Sequence, residues 1–400
     1  MDAELFTTML TDRHFPDLKK MQYKYSPENV SELMKLLSRS MFTELPLRDF
    51  AGGQLVYLEG FLHDDTNAVK QLLNSRSGSG AYGVQAMTEE IYNSLGIENI
   101  NSSRESVRRI LDGYAPANDS EIRILGMKKG LEFISDPRNR ITEENLHYLY
   151  QLTVGDFLDS ENSLLPGNFY RHDKVYIIGS TIEHQGINSK LLPEYMKALI
   201  AYINTPSNTG ELAKAAVIHF YLAYLHPYFD GNGRTARFLQ LWYLVQCGYS
   251  SALFVPFSSY INETRSDYYK AFSLIESNSK ISSRIDVTPF LNYFNDNIYS
   301  RLGSTVPSLS LLDEYDRELL SGNVTEKENS LWNYVLSVYG MNEFSTKQLE
   351  RDYGKAAYGT IRTFVQKFEK LGLLKKRNYN GRPKYSINNC PSPAGADGEG

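Results

Sequence analysis

The chain has 400 residues, of which 42% are hydrophobic, and its formal net charge is -5. This length is enough for two or three domains, and the weakly acidic balance argues against binding nucleic acid or membranes through overall charge. Two cysteines far apart in the sequence, no signal-peptide pattern and no apolar run of membrane-spanning length predict a reduced, cytoplasmic protein with no membrane partner.

Residues 1–84 form the first predicted region, which is mostly helical in pattern with a break at Gly52-Gly53. They carry no motif that indicates a function. The sequence Gly78-Ser-Gly80-Ala-Tyr-Gly83 matches the glycine pattern of dinucleotide sites, but such a site also needs a preceding strand in a βαβ unit. Because the preceding residues are helical in pattern, residues 74–83 are predicted to be a flexible loop.

Residues 85–299 are predicted to form one largely helical domain. Near its start a helix is predicted from Thr88 to Asn99, and Ser94 and Glu98 share a face of it because they are four residues apart. Several Glu-Asn and Glu-Gly pairs occur in the chain, but only Glu98-Asn99 has a Ser or Thr four residues before it. The alternative for Glu98 is a solvated surface glutamate.

A short β-rich run follows the turn Gly167-Asn-Phe-Tyr-Arg171. Its residues are Val175, Tyr176, Ile177, Ile178 and Gly179. The run predicts a hairpin whose edge strand can pair with an extended peptide segment. An ordinary hairpin without a partner is the alternative.

Residues 226–237 read His-Pro-Tyr-Phe-Asp-Gly-Asn-Gly-Arg-Thr-Ala-Arg and lie between two apolar stretches. Pro227 places His226 at the end of the preceding helix, because proline disfavours the α conformation of the residue before it. Gly231-Asn232-Gly233 can expose successive backbone N–H groups, and the apolar run from Phe238 predicts a second helix just beyond. Such a nest at a helix N-terminus is an anion site.

Arg234 and Arg237 share a helix face near that N-terminus, where two cations are unfavourable unless an anion compensates them. Asp230 is a hard oxygen ligand placed to hold a Mg2+ that also binds substrate phosphates. His226, with an unperturbed pKa of roughly 6.5, can take a proton from a hydroxyl group near neutral pH. The twelve residues therefore predict a nucleoside triphosphate site with a general base.

The same segment resembles the signature of the Fic family, His-Pro-Phe-x-[Asp/Glu]-Gly-Asn-Gly-Arg-x-x-Arg. It departs from that signature only at Tyr228, where phenylalanine is usual. The resemblance extends over roughly residues 85 to 290. It implies a mainly α fold, with a compact helical core and a short β-hairpin flap. It also implies transfer of AMP from ATP to a hydroxyl group of a target protein, with release of pyrophosphate.

The resemblance implies a role for each residue of the motif. His226 would be the base, Asp230 the Mg2+ ligand, Asn232 with the Gly231 and Gly233 backbone would surround the α-phosphate, and Arg234 and Arg237 would hold the other phosphates.

Three further elements follow from the same resemblance. The strand 175–178 would dock the backbone of the target protein, and Tyr268-Tyr269 would belong to the adenine pocket. Ser94 and Glu98 would belong to an N-terminal inhibitory helix. Glu98 would then pair with Arg237 and remove the cation that orients the γ-phosphate.

The C-terminal part is predicted to contain a linker at 300–327, a small winged-helix domain at 328–388 and a disordered tail at 389–400. Its predicted elements are helices at Leu331–Tyr339, from the cap Ser345 to Asp352, and at Tyr358–Leu371, followed by strands at Leu373–Arg377 and Lys384–Ile387 around the Asn380-Gly381 turn.

Charge suggests a partner for this domain. Residues 353–388 contain nine Lys or Arg and one Glu, a net charge of +8. This asymmetry indicates DNA binding, with Arg362 and Lys367 on a helix that enters the major groove. A winged helix that serves protein contacts or a homodimer is the alternative.

Two other functions remain compatible with the sequence. The same fold can act on another nucleotide, or remove AMP through a water held by Glu98. The chain can also be a DNA-binding regulator whose Fic core senses a ligand.

Overall fold

A computed structural model describes residues 1–62, 84–159, 161–178, 182–206, 209–249, 252–253, 255–301, 309–339, 343–354, 356–379 and 381–388. These residues are mainly helical and form three hydrophobic cores, one in each of the N-terminal, central and C-terminal parts of the chain. The predicted loop at 74–83 and the predicted tail at 389–400 lie outside them. None of the described helices is both long and apolar enough to cross a membrane.

The N-terminal part consists of α1 (Ala3–Leu10), α2 (Leu18–Tyr25), α3 (Pro27–Ser40), β1 (Phe42–Arg48) and β2 (Gln54–Leu58). The two strands pair antiparallel, and Leu45 and Leu47 alternate with exposed residues along β1. The sequence pattern predicted mostly helix here and missed this hairpin, since Gly52 (φ 86°) lies in the turn between strands rather than in a helix break.

The central part contains the following elements. They are α4 (Val84–Ile97), α5 (Arg104–Leu111), α6 (Asp119–Ser135), α7 (Glu143–Thr153), β3 (Tyr176–Ile178), β4 (Ile182–Gln185), α8 (Leu192–Asn204), α9 (Glu211–Leu225), α10 (Asn232–Gln246), α11 (Phe257–Glu263), α12 (Arg265–Ser282), α13 (Thr288–Phe294) and a π-helical turn (Asn295–Tyr299).

Helices α9 and α10 lie at the centre of this domain and pack against each other. Both bury residues on all sides, which is typical of a helix surrounded by other helices. Helices α6 and α7 cover α10, while α8 and α13 cover α9. The loop that joins α9 to α10 contains residues 226–231 of the motif, and the start of α10 contains residues 232–237, so two packed central helices hold the motif.

Helix α4 reaches the centre from the side. It packs against α11, α5 and α6. Glu90 of α4 accepts hydrogen bonds from the Ser258 backbone N–H (2.9 Å) and hydroxyl (2.5 Å), and Arg265 donates to the Asn99 side chain at 3.1 Å. These contacts fix the end of α4 beside the loop between α9 and α10.

The C-terminal part contains α14 (Leu309–Leu320), α15 (Glu326–Val338), α16 (Thr346–Tyr353), α17 (Tyr358–Lys370), β5 (Leu374–Tyr379) and β6 (Arg382–Ile387). Ser345 caps α16 by accepting from the Gln348 N–H at 3.1 Å, as its position predicted. The order of three helices and a hairpin follows the prediction for 328–388. The segment 300–327, predicted as a linker, contains α14, whose Leu311 and Tyr315 belong to the C-terminal core.

Candidate active site

The loop between α9 and α10 reverses the chain through two left-handed residues. His226 has φ 53° and ψ 61° at the end of α9, and Gly231 has φ 77° at the start of α10. The sequence predicted a second helix just beyond the nest, with Arg234 and Arg237 on one face near its N-terminus, and α10 begins at Asn232. The apolar run marks only the part of α10 that packs into the core, and the helix itself starts where Gly231 allows the chain to turn. Gly233, Arg234 and Arg237 therefore lie in the first two turns of a helix.

Asn232 holds the loop closed. Its side-chain oxygen accepts from the Tyr228 N–H, and its side-chain nitrogen donates to the Tyr228 carbonyl, both at 2.9 Å. The amide is buried and both of its ends are engaged. Asn232 consequently shapes the nest around the Gly231 and Gly233 backbone.

Arg234 is buried and reaches toward the open side of the loop. Its terminal nitrogens lie 3.1 Å from Asp230 Oδ2 and 3.4 Å from the Thr153 carbonyl, and burial lowers the pKa of its guanidinium. Asp230 is half-exposed, and its Oδ1 accepts from the Gly231 N–H at 2.6 Å. No cluster of three or more His, Cys, Asp or Glu side chains suited to a metal occurs in the part of the chain that the structure describes. A single carboxylate of this kind suits Mg2+ that arrives with substrate phosphates.

Arg237 is buried under the end of α4. Its Nε donates to Ser94 Oγ at 3.1 Å, and its terminal nitrogen donates to the Ser94 carbonyl at 3.0 Å and to Glu98 Oε1 at 2.7 Å. A Cβ added to Gly233 would lie 2.4 Å from the same Glu98 oxygen. The Glu98 carboxylate thus lies directly over the nest and against the arginine, where a phosphate group would bind.

An open cavity of about 970 Å³ lies beside this cluster. The residues that line it are Glu98, Phe220, Ala223, Tyr224, His226, Asn232, Gly233, Arg237, Tyr268, Tyr269, Phe272, Ser273 and Glu276. Its aromatic walls are typical of a small-molecule pocket. The side chain of Tyr269 is 45% exposed, so its ring is accessible for stacking, whereas Tyr268 is buried.

The hairpin of β3 and β4 stands next to the loop. Tyr176 pairs with Gln185 and Ile177 with His184, with an irregularity before Ile178. Val175 lies just before β3, and its carbonyl accepts from the Gly186 N–H at 3.2 Å. The backbone of Arg171 and of Ile187, on either side of the hairpin, is bonded to Pro227 (2.9 Å) and Leu225 (3.3 Å).

Comparison with known proteins identifies the domain that carries this site. Residues 140–244 match the family model described as Fic/DOC family. The chain therefore contains a region similar to the Fic/DOC family. That region spans α7 to α10 and includes the hairpin and the whole 226–237 motif.

Curated relatives carry the name of the same family. The chain is similar to "Protein adenylyltransferase Fic" from Drosophila persimilis, with 25% identity over 59% of this chain and 44% of the relative. It is also similar to the protein of the same name from Drosophila melanogaster, with 26% identity over 53% of this chain and 40% of the relative. The aligned region thus spans less than half of those relatives.

Two solved structures give weaker likenesses. A Fic family protein from Desulfovibrio desulfuricans aligns with a TM-score of 0.45 and 20% identity over 78% of this chain and 88% of that chain. Fic-1 from C. elegans aligns with a TM-score of 0.46 and 17% identity over 80% of this chain and 86% of that chain.

The predicted site residues come together around the Fic loop. His226, Asn232, Gly233, Arg237, Tyr268 and Tyr269 line the cavity, and Glu98 lies among them. Gly231 and Arg234 lie in the same turn, with Asp230 at its rim. Val175 and Tyr176 lie on the adjacent hairpin; the side chains of Ile177 and Ile178 are outside the described part of the structure.

Two residues of the Fic site were not predicted. His219 is buried on α9, with its ring nitrogens 2.6 Å from Gln240 Oε1 and 2.9 Å from the Tyr268 hydroxyl, and burial lowers its pKa to about 3. It therefore stays neutral and orients Tyr268. Arg171 is buried beneath the hairpin. The sequence contains no local signal for either residue, because a buried histidine or arginine is distinguished only by its distant partners.

Proposed function

We propose that this protein transfers AMP from ATP to a hydroxyl group of a target protein. The observation that carries the proposal is the loop between α9 and α10, where His226, a backbone nest and the buried Arg237 line one open cavity and the buried Arg234 lies in the same turn. The names of the curated relatives support ATP as the nucleotide and a protein as the acceptor. Because the alignments cover less than half of those relatives, ATP as the nucleotide and a protein as the acceptor are both part of the proposal.

The proposed reaction is a single displacement at the α-phosphorus. The target hydroxyl oxygen forms a bond to that phosphorus while the bond from the α-phosphorus to the bridging oxygen breaks, and pyrophosphate leaves with that oxygen. His226, at the cavity edge, takes the hydroxyl proton. The N–H groups of the nest and the α10 N-terminus stabilise the charge on the α-phosphate, while Arg234 and Arg237 hold the leaving phosphates.

Asp230 would hold Mg2+ at the rim of the loop. One half-exposed carboxylate and the oxygens of the nucleotide form the kind of ligand set that this ion prefers. When bound, the ion neutralises phosphate charge. Arg234 lies 3.1 Å from Asp230. The arginine proposed to bind the phosphates and the carboxylate that would hold Mg2+ are therefore next to each other.

Glu98 would inhibit this reaction in the resting protein. Its carboxylate bonds Arg237 at 2.7 Å and covers the Gly233 backbone, so it competes with a phosphate for the same cation and the same nest. A nucleotide can still occupy the cavity, but its terminal phosphate cannot reach Arg237 while Glu98 is paired with it.

The test of the function is AMP incorporation from α-32P-labelled ATP into a host lysate and into the protein itself. Glu98→Gly is expected to label proteins, and the Glu98→Gly/His226→Ala double variant to lose labelling by about 10²–10⁴-fold while still binding ATP. Parallel reactions with labelled GTP, CTP and UTP, and with AMP-modified protein, separate the alternatives of another nucleotide and of AMP removal. Equal labelling by the two variants would contradict the assignment of His226.

A second candidate function is DNA binding by the C-terminal hairpin, favoured by an unusual strand pair. Arg377 and Lys384 are directly opposite each other, and Tyr379 is opposite Arg382, on one face of β5 and β6. Like charges facing each other across strands are destabilising. Arg377 is offset by a salt bridge with Glu343 at 3.3 Å, so the DNA proposal rests on Arg382 and Lys384. Lys367, predicted to contact DNA, instead forms a salt bridge with Glu328 at 2.7 Å, which makes the hairpin the better candidate.

The DNA proposal is tested by fluorescence anisotropy of the full chain with a labelled duplex at rising salt. Affinity should fall steeply with salt and weaken further in Arg382→Glu/Lys384→Glu, because fewer counterions are released. Lys20→Glu, a charge reversal on α2, is the control and should bind like the parent. No binding at low salt would exclude this function.

A further inference from the structure

Arg171 joins both ends of the hairpin to the catalytic loop. It lies five residues before β3. Its Nε donates to the His226 carbonyl at 2.7 Å, one terminal nitrogen donates to the Asp173 carbonyl at 2.5 Å, and the other donates to the Ile187 carbonyl. One planar guanidinium thus bonds the catalytic loop and the two ends of the hairpin.

The arginine is buried without a counter-ion. Its side chain is only 2% exposed, and none of the carboxylates in the described ranges forms a salt bridge with it. Desolvation lowers the pKa of its guanidinium to about 10. A buried cation is costly, and here three backbone carbonyls and the charge of Asp173, which forms no salt bridge with it, compensate for it. This arrangement is better explained if Arg171 fixes the relative position of the loop and the hairpin than if it stabilises the fold.

That geometry concerns His226 directly. The residue has a left-handed backbone, which is uncommon for residues other than glycine, although histidine adopts it more often than most. The Arg171 bond to the His226 carbonyl fixes the orientation of that peptide group. Gly186 packs into the same contact: a Cβ there would lie 2.7 Å from the Arg171 terminal nitrogen and 3.1 Å from the His226 Cβ.

We propose that Arg171 is a positioning residue, which holds the His226 backbone and the hairpin in one fixed relation so that the base meets a hydroxyl presented along the hairpin. The inference rests on the proposed AMP transfer. Arg171 does not line the nucleotide cavity, so its role concerns the base and the acceptor and leaves nucleotide binding intact.

Arg171→Lys is the informative substitution, because it keeps the charge but replaces a planar fork of donors with one ammonium group. In the Glu98→Gly background the maximal rate of AMP incorporation should fall by roughly 10²-fold, as for a displacement of about 1 Å. The Kd for ATP should not change. Gly186→Ala, which displaces the same guanidinium, should reproduce the loss, and Arg138→Lys on the exposed surface should have no effect.

A second readout does not depend on activity. The amides of residues 171 and 187, which bond Pro227 and Leu225, should exchange hydrogen faster in Arg171→Lys, while amides of α9 and α10 keep their protection. If the activity of Arg171→Lys fell only as much as the fraction of protein molecules that bind ATP, the role of Arg171 would be structural only. Full activity in Arg171→Lys, or unchanged exchange, would overturn the proposal. An inactive Glu98→Gly parent would instead refute the AMP transfer, and the exchange measurement would still decide whether Arg171 joins the hairpin to the loop.

Discussion

Tyr228 is the one position where the loop departs from the Fic signature, and its hydroxyl has no partner among the described residues. The ring is fully buried and stacks on Tyr150, with centroids 3.7 Å apart and planes 8° from parallel. The Tyr150 hydroxyl and Arg234 Nε also lack partners in the described part of the chain. The aromatic ring therefore supports the loop, while the extra oxygen is unfavourable where it lies.

Tyr228→Phe is expected to raise the free energy of unfolding by about 1 kcal/mol, because an unsatisfied buried hydroxyl costs about 1–3 kcal/mol. Chemical denaturation measures the change, and ATP binding should stay the same. Tyr221→Phe is the matched control: that hydroxyl is equally buried but donates to the Arg48 carbonyl at 2.8 Å, so its removal should destabilise the protein. Destabilisation of both variants to the same degree would show that the Tyr228 hydroxyl has a partner after all.

At the scale of the element, α4 runs from the surface of the domain to the backbone nest at Gly231 and Gly233. Its C-terminal end holds Ser94 and Glu98 against Arg237, while Glu89 near its start forms a two-point ion pair with Arg104 at 2.7 and 2.8 Å. The helix thus carries two glutamate–arginine pairs. Only one of them involves the Fic loop.

Glu98→Gly should increase AMP incorporation at least tenfold, which corresponds to about 1.4 kcal/mol of bias toward the inhibited arrangement. Glu89→Gly removes the same side chain from the same helix but leaves Arg237 paired, so its activity should stay close to that of the parent. Glu98→Gly/Arg237→Ala should be inactive because the cation is then missing from both arrangements. Equal activation by the two glycine variants would mean that helix stability, and not the carboxylate, controls the rate.

Glu90, on the same helix, predicts a dependence on pH. It is buried, and desolvation raises its pKa above the usual value of 4.5, against the opposing effect of its hydrogen bonds with Ser258. A carboxyl group whose pKa is raised on folding contributes stability below its unfolded pKa and loses it as the pH rises through the folded value. The free energy of unfolding of the parent should therefore fall relative to that of Glu90→Gln as the pH rises above about 4.5. A constant difference from pH 4 to 8 would contradict this expectation.

At the scale of the whole molecule, the C-terminal domain is in contact with the proposed inhibitory helix. Helix α15 packs against α4. Tyr334 on α15 is also close enough to Arg108 and Asp112, at the end of α5, for their charges to act on it. Helix α4 is consequently enclosed between α11 of the Fic core and α15.

Truncation after residue 308 should expose that face of α4. Hydrogen exchange at the α4 amides should then become faster, and AMP incorporation should rise, because Glu98 is held less firmly. Truncation after residue 388, which leaves α15 in place, is the control and should change neither measurement. Unchanged protection of α4 in the variant that ends at residue 308 would indicate that the Fic core alone holds the helix.

The amino-acid sequence by itself determined the features that depend on neighbours along the chain. Residues 226–237 indicated the nest, the base and the paired arginines because all of them lie within twelve positions. Ser345 and the Asn380-Gly381 turn predicted the C-terminal elements because caps and turns are local. The hairpin in the N-terminal part was missed, although Leu45 and Leu47 alternate with Glu44, Pro46 and Arg48, because a run this short also fits a helix.

The tertiary structure decided which distant residues meet. Arg237 and Ser94 are 143 positions apart, and Lys367 and Glu328 are 39 apart. Local propensity cannot specify such pairs, since they form only when whole helices pack. The same applies to Arg171, whose guanidinium finds the carbonyls of residues 55 and 16 positions away. The residues of the proposed site could be predicted from the sequence. The contacts that hold His226 and cover the Gly233 backbone exist only in the packed structure.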